Sequence, residues 1–141
     1  MRSMDWTESR QFLLQGTRTA KIATIGAEGG PHLVPVWFTV DQDDVVFSTF
    51  SRSVKARNMA RDPRVAVAVD DDTDPFAFVS ITGRAELVER PADFLAWATT
   101  IATRYVGPAR GAELGRVFTE IDDLIVRVRM ESFVGRAEIV G

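Results

Sequence analysis

Apolar and polar residues recur along this chain with two periods, one helical and one extended. Near the start, Asp5 and Glu8 stand three apart ahead of Phe12, Leu13 and Leu14, the spacing of a capping box opening a short helix, with Gly16 as its stop. Lys21 to Ile25 is a short β-rich run, and Gly26-Ala27-Glu28-Gly29-Gly30 reads as a turn. His32 to Val40 is a second strand, and Asp41 to Asp44 turns it into a third, Val45 to Thr49, so the three are expected to form an antiparallel meander. The second strand is apolar on both faces, with Val34, Val36, Phe38 and Val40 on one side and Leu33, Pro35 and Trp37 on the other. A strand of that kind is expected to be covered twice. Pro35 has no N–H to give a ladder, which predicts an edge or a bulge.

Farther along, Ser53 to Ala60 predicts a short helix that stops before Asp62-Pro63, because a residue preceding proline leaves the helical region. Arg64 to Asp70 is a fourth strand with valines on one face and alanines on the other. Asp70 to Pro75 is an acidic turn that lacks the ligand spacing and closing glutamate of a calcium loop. Phe76 to Glu89 is a long strand with a bend expected at Gly83. Pro91 and Asp93 open the main helix, on which Phe94, Leu95, Trp97, Ala98, Ile101, Ala102 and Tyr105 fall on one stripe, and Gly107-Pro108 ends it. Ala112 to Phe118 reads as a further short helix, Leu124 to Glu131 as the last clear strand, and Ala137 to Val140 as a weakly patterned seventh. The expected class is mainly β: six or seven antiparallel strands in a small barrel, with peripheral helices. There is no repeat or linker, so residues 1–141 are read as a single domain of ordinary size.

Composition narrows the chemistry. With no cysteine, the chain has no disulfide, thiolate metal site or cysteine nucleophile. His32 is the only histidine, which excludes a two-histidine metal site, and any Ser-His-Asp triad would have to use it. No P-loop, dinucleotide fingerprint or paired catalytic carboxylates stand out, so in an enzyme a cofactor is expected to carry the reaction. The N-terminus has no apolar signal core and no apolar run approaches the roughly 18 residues of a membrane span, so a cytoplasmic protein without a membrane partner is expected. A net charge of −3 and a pI near 5.2 argue against nucleic acid as a partner.

Against that acidic background one segment is basic. Arg52, Lys55, Arg57, Arg61 and Arg64 face a single acid, Asp62, in the stretch from Ser51 to Arg64. Ser51 and Ser53 stand where a short helix begins, and its unpaired amides and dipole favour an anion. Lys55 and Asn58 are three apart on that helix. Together these groups can hold a phosphate without a glycine-rich loop. A solvated helix face bearing surface ion pairs would have the same composition. Taken by themselves, His32 reads as a hydrogen-bonded surface group and Trp37 and Phe38 as core residues.

Three stretches occur in order: Ala23-Thr24-Ile25-Gly26 running on to Gly30-Pro31-His32-Leu33-Val34-Pro35-Val36-Trp37-Phe38, then Ser53 to Val65, then Val79 to Glu86 with Gly83. Together they resemble the pyridoxamine 5′-phosphate oxidase-like split β-barrel family, and within it the branch that uses the deazaflavin coenzyme F420. The resemblance covers nearly the whole chain and fades after about residue 110. It implies a homodimer with cofactor sites at the dimer interface, and hydride transfer to a small electron-poor substrate. By the same resemblance Lys55 and Asn58 contact the cofactor phosphate, with Ser48, Thr49 and Ser53 as further phosphate or ring contacts, and by charge alone Arg52, Arg57 or Arg61 would suit an acidic cofactor tail. Val36, Trp37 and Phe38 form the wall against the ring, and no side chain is required as a catalyst, His32 being the weak candidate. The alternatives within the same fold are an FMN-binding reductase or electron carrier, and a non-catalytic cofactor-binding protein, including a haem binder using His32. Two departures are visible. Ser53 stands where some relatives have arginine, with Arg52 displaced by one. The last residues lack the arginine–histidine pair that pyridoxamine phosphate oxidases use on their substrate, so that reaction is not expected.

Overall fold

The computed structural model describes residues 1–141. The chain runs β1 (Arg2–Ser3), α1 (Trp6–Leu14), β2 (Ala20–Ile25), β3 (Pro31–Val36), β4 (Thr39–Asp41), β5 (Asp44–Thr49), α2 (Val54–Arg61), β6 (Arg64–Asp71), β7 (Ala77–Glu89), α3 (Phe94–Val106), α4 (Pro108–Ile121) and β8 (Leu124–Ala137). The strands form one antiparallel sheet in the order β3-β2-β6-β7-β8-β5-β4, with β1 paired to β8. β3 and β4 lie at opposite ends of that order, yet only Trp37 and Phe38 separate them in the chain. Three Cα steps of ~3.8 Å reach at most about 11 Å, so the sheet has to curl until its two ends nearly meet. The result is the expected mainly β split barrel with peripheral helices, built from eight strands rather than six or seven.

Alternation decides what is inside. β6 buries Val65, Val67 and Val69 and turns Ala66 and Ala68 outward, as its pattern predicts. Ile22, Phe38, Val45, Phe47, Val79, Ile81, Val126 and Val128 complete the barrel interior, joined by Phe12 and Leu13 of α1 and Met59 of α2. Asp5 caps α1 by accepting the Glu8 amide at 2.8 Å, while the Glu8 carboxylate pairs with Arg2 rather than completing the capping box. Ser53 caps α2 by accepting the Ala56 amide at 3.1 Å.

The structure corrects three expectations. The meander from Lys21 to Thr49 is instead two hairpins, β2–β3 and β4–β5, because the strand from His32 to Val40 breaks at Trp37-Phe38. The break is sustained from outside the sheet: the Phe38 amide donates to the Tyr105 hydroxyl at 3.2 Å, and Arg104 donates to the Phe38 carbonyl at 2.9 Å. Two side chains of α3 thus take over bonds that a continuous ladder would have made. β3 is consequently an edge strand, as Pro35 predicts, and its second face is uncovered: Pro35 is exposed and Leu33 is 64% exposed. The third correction is at the C-terminus, where β8 runs unbroken to Ala137 instead of stopping at Glu131 before a separate seventh strand. Its register against β7 shifts between Thr82 and Gly83, which is the bend expected at Gly83. A Cβ there would collide with the Arg129 carbonyl.

α4 is also longer than the helix read over Ala112 to Phe118. Pro108 occupies its first turn, and Gly107 joins it to α3 at a φ of 86°. Gly111 and Gly115 lie directly on Thr103 and Thr99 of α3, so the two helices pack backbone to backbone. Phe94, Ala98, Ile101 and Ala102 are the buried stripe of α3, whereas Leu95, read as part of it, is 47% exposed. Phe94 and Ala98 pack with Val46 and Ile125 in a second, smaller core on the outer side of β5 and β8.

Candidate functional site

The break between β3 and β4, the end of β5 and the first turn of α2 converge under the α3–α4 hairpin. There they enclose a cavity of ≈ 230 Å³. Val36, Trp37, Ser48 and Lys55, all expected at the site, line it. The indole of Trp37 stacks on Tyr105 with centroids 4.8 Å apart and planes 9° from parallel, and meets Phe118 edge-on at 6.1 Å. Phe38 stands behind this wall, fully buried in the barrel, with both backbone groups already bonded to α3.

Lys55 is half-buried and has neither an ion-pair partner nor a hydrogen bond. Burial pushes its ammonium below the usual lysine range, and the carboxylate of Asp122 pulls it back. Asp122 lines the same cavity, accepts a hydrogen bond from Ser48 at 2.7 Å, and is pushed above the usual carboxylate range by burial. Thr49 and Ser53 share a hydroxyl–hydroxyl bond of 3.0 Å at the entrance to α2.

Lys55 and Asn58 do not converge as expected. Asn58 is buried, donates to Thr24 at 3.0 Å and accepts from Arg61 at 2.8 Å. It lines a different space, an open groove of ≈ 550 Å³ between α2 and the β2–β3 turn. Arg57, Arg61 and His32 line that groove too, and Nδ1 of His32 is buried there without a hydrogen-bond partner. The expected residues therefore divide into two neighbouring sets on either side of α2: a partly enclosed one at Lys55 and an open, basic one at Arg57.

Sequence reasoning missed the roof. Ala98, Ile101, Phe118 and Asp122 come from the α3–α4 hairpin. The usable signal was Gly111 and Gly115, four apart, which mark a helix packed closely on a neighbour and so extend α4 far enough to bring in Phe118 and Asp122.

A third space, ≈ 380 Å³, lies on the outer face of the sheet, floored by Ala23, Ala66, Thr82 and Gly83 and rimmed by Arg64, Arg84 and Glu131. It adjoins the uncovered side of β3, since Leu33 is paired with Ala23.

The fold has counterparts in known proteins. Over residues 6–129 the chain matches the family described as Pyridoxamine 5′-phosphate oxidase. A conserved hypothetical protein of Mycobacterium tuberculosis superposes with a TM-score of 0.83 at 30% identity, covering 96% of this chain and 86% of that one. A structure described as an F420 reductase superposes at 0.69 with 27% identity, covering 87% and 94%. In sequence, a 5a,11a-dehydrotetracycline/5a,11a-dehydrooxytetracycline reductase of Streptomyces rimosus is 35% identical over 91 residues, 59% of this chain. That match spans 64% of the relative's length, less than two thirds. With its split barrel and a family match over most of its length, the chain belongs to the pyridoxamine 5′-phosphate oxidase family.

Proposed function

We propose that this protein is an oxidoreductase that uses coenzyme F420 to reduce a small, electron-poor organic substrate, and that it works as a homodimer. The observation that carries the reading is Lys55: a half-buried ammonium whose N–H donors make no hydrogen bond, in the first turn of a capped helix, beside an aromatic wall. Ammonium donors taken partly out of water without acceptors are costly unless a ligand supplies them. The residues present fit a cofactor that has a phosphate and a flat ring. Lys55 would bind the phosphate, whereas the Thr49 and Ser53 hydroxyls bond each other and do not line the cavity. Val36 and Trp37 would meet the ring, and Arg57 and Arg61 would face an acidic tail along the open groove.

When bound, reduced F420 supplies the hydride. The chain binds and orients: Trp37, held by Tyr105 and Phe118, offers a rigid apolar surface, and Ala98 and Ile101 keep water from the cavity. FMN would use the same phosphate contacts, so the deazaflavin is favoured by the similarity to the F420 reductase rather than by Lys55. The Streptomyces relative, named for dehydrotetracyclines, supports unsaturated acceptors as the substrate class. The uncovered face of Pro31, Leu33 and Pro35, continuous with the small residues Ala23 and Ala66, is the surface proposed to meet a second copy.

The test is to incubate the purified protein with reduced F420 and a panel of cyclic enones and quinones, following the return of oxidised cofactor. Acceptor-dependent oxidation that needs the protein is expected. Rates equal to those without protein for every acceptor would count against the reading.

A further inference from the structure

Asp122 is the one group in the cavity that a plain anion site would not contain. It caps the C-terminus of α4, accepts from Ser48 at 2.7 Å and shares the ≈ 230 Å³ cavity with Lys55. Lys55 is the only cation lining that cavity and Asp122 the only anion, so their formal charges cancel. The adjacent Asp123 is occupied elsewhere, accepting the Ser51 amide at 2.6 Å. Arg90 donates to the Thr119 carbonyl at 2.6 Å and does not line the cavity. A phosphate that reaches Lys55 therefore lies within the field of Asp122 as well.

We infer that Asp122 is a specificity residue: it lets Lys55 accept a singly charged phosphodiester and disfavours a doubly charged phosphomonoester. The inference rests on Lys55 as the phosphate contact and deepens that reading. F420 carries its phosphate as a diester with one charge. FMN carries a monoester, whose second ionisation near pH 6 leaves it with a charge of about −1.5 to −2 at pH 7. Charge–charge energies scale with the product of the charges. The carboxylate therefore opposes the dianion about twice as strongly, in free energy, as the monoanion. Removing the carboxylate should multiply the affinity of a dianion by roughly the square of the factor for a monoanion.

The experiment compares dissociation constants for FMN, its methyl phosphodiester and F420 near pH 7. The proteins are the wild type, Asp122→Asn, Asp122→Ala and, as a control, Asp123→Asn. Both Asp122 variants are expected to tighten FMN about tenfold and the methyl diester about threefold, as the charge product requires. Asp123→Asn is expected to leave the ratio of the two unchanged. Equal tightening of both ligands, or none, overturns the inference. FMN and its diester share one ring, so this comparison does not depend on the deazaflavin. A shifted ratio with no F420 binding removes the deazaflavin and leaves the role of Asp122 standing. No binding of any of the three overturns both.

Discussion

Lys55 and Asp62 both lie in the basic segment that the sequence singles out, and their environments are opposite. Lys55 is half-buried without a partner, and its truncation tests the phosphate assignment directly. Lys55→Ala is expected to cost about 1.5–3 kcal/mol of cofactor affinity, the range for a hydrogen bond to a charged group. An unchanged dissociation constant would leave the cluster a solvated helix face. Asp62 sits just after α2, and both its oxygens accept from Arg64, at 2.7 and 3.1 Å. Those bonds hold its carboxyl down to about 2. The folded chain thus binds this proton more weakly than the unfolded chain. The stabilisation is complete above the ordinary value of 3.8 and is lost as pH falls through about 2. Urea midpoints of wild type and Asp62→Asn should differ near neutrality and converge at the acid end of that window. A difference that persists at the acid end would assign it to packing rather than charge.

At the scale of elements, what could be read locally was read well. The cap at Asp5, the alternation of β6 and the bend at Gly83 all depend on residues within one turn or one strand. The break at Trp37-Phe38 was not legible, because nothing in the run from His32 to Val40 interrupts its apolar pattern. The groups that sustain it, Arg104 and Tyr105, lie 66 and 67 residues away. Tyr105 could be read only as one residue of a helical stripe. In the fold its hydroxyl accepts from Phe38 and donates to the Arg18 carbonyl at 2.9 Å, fastening α3 to the β3–β4 break and to the loop before β2. Tyr105→Phe leaves the Phe38 amide without its acceptor, which should destabilise the protein by about 1–3 kcal/mol in equilibrium unfolding. Stability equal to the wild type would mean that another acceptor, such as water, replaces the hydroxyl.

For the whole molecule, the site combines a part the sequence could locate with a part it could not. The basic end was legible because a basic cluster on an acidic chain stands out by charge. The division of Lys55 from Asn58, and the roof of Phe118 and Asp122, were not, because both depend on how α2 and the α3–α4 hairpin lie across the barrel. The uncovered face of β3 reaches beyond one chain. Leu33 is 64% exposed at the sheet edge, and the proposed homodimer would bury it. Leu33→Asp is expected to shift the protein toward monomer in analytical ultracentrifugation and to weaken cofactor binding in parallel. A monomeric wild type would remove the dimer from the account.

The central claim is that the Lys55 cavity belongs to a deazaflavin site, and equilibrium titration of the purified protein with coenzyme F420 and with FMN tests it most directly. Tryptophan emission offers an internal probe, because Trp37 lines the cavity. Saturable binding of F420 that quenches this emission is expected, with clearly weaker binding of FMN. A preference for FMN would contradict the deazaflavin assignment, and binding of neither would contradict the cofactor site itself.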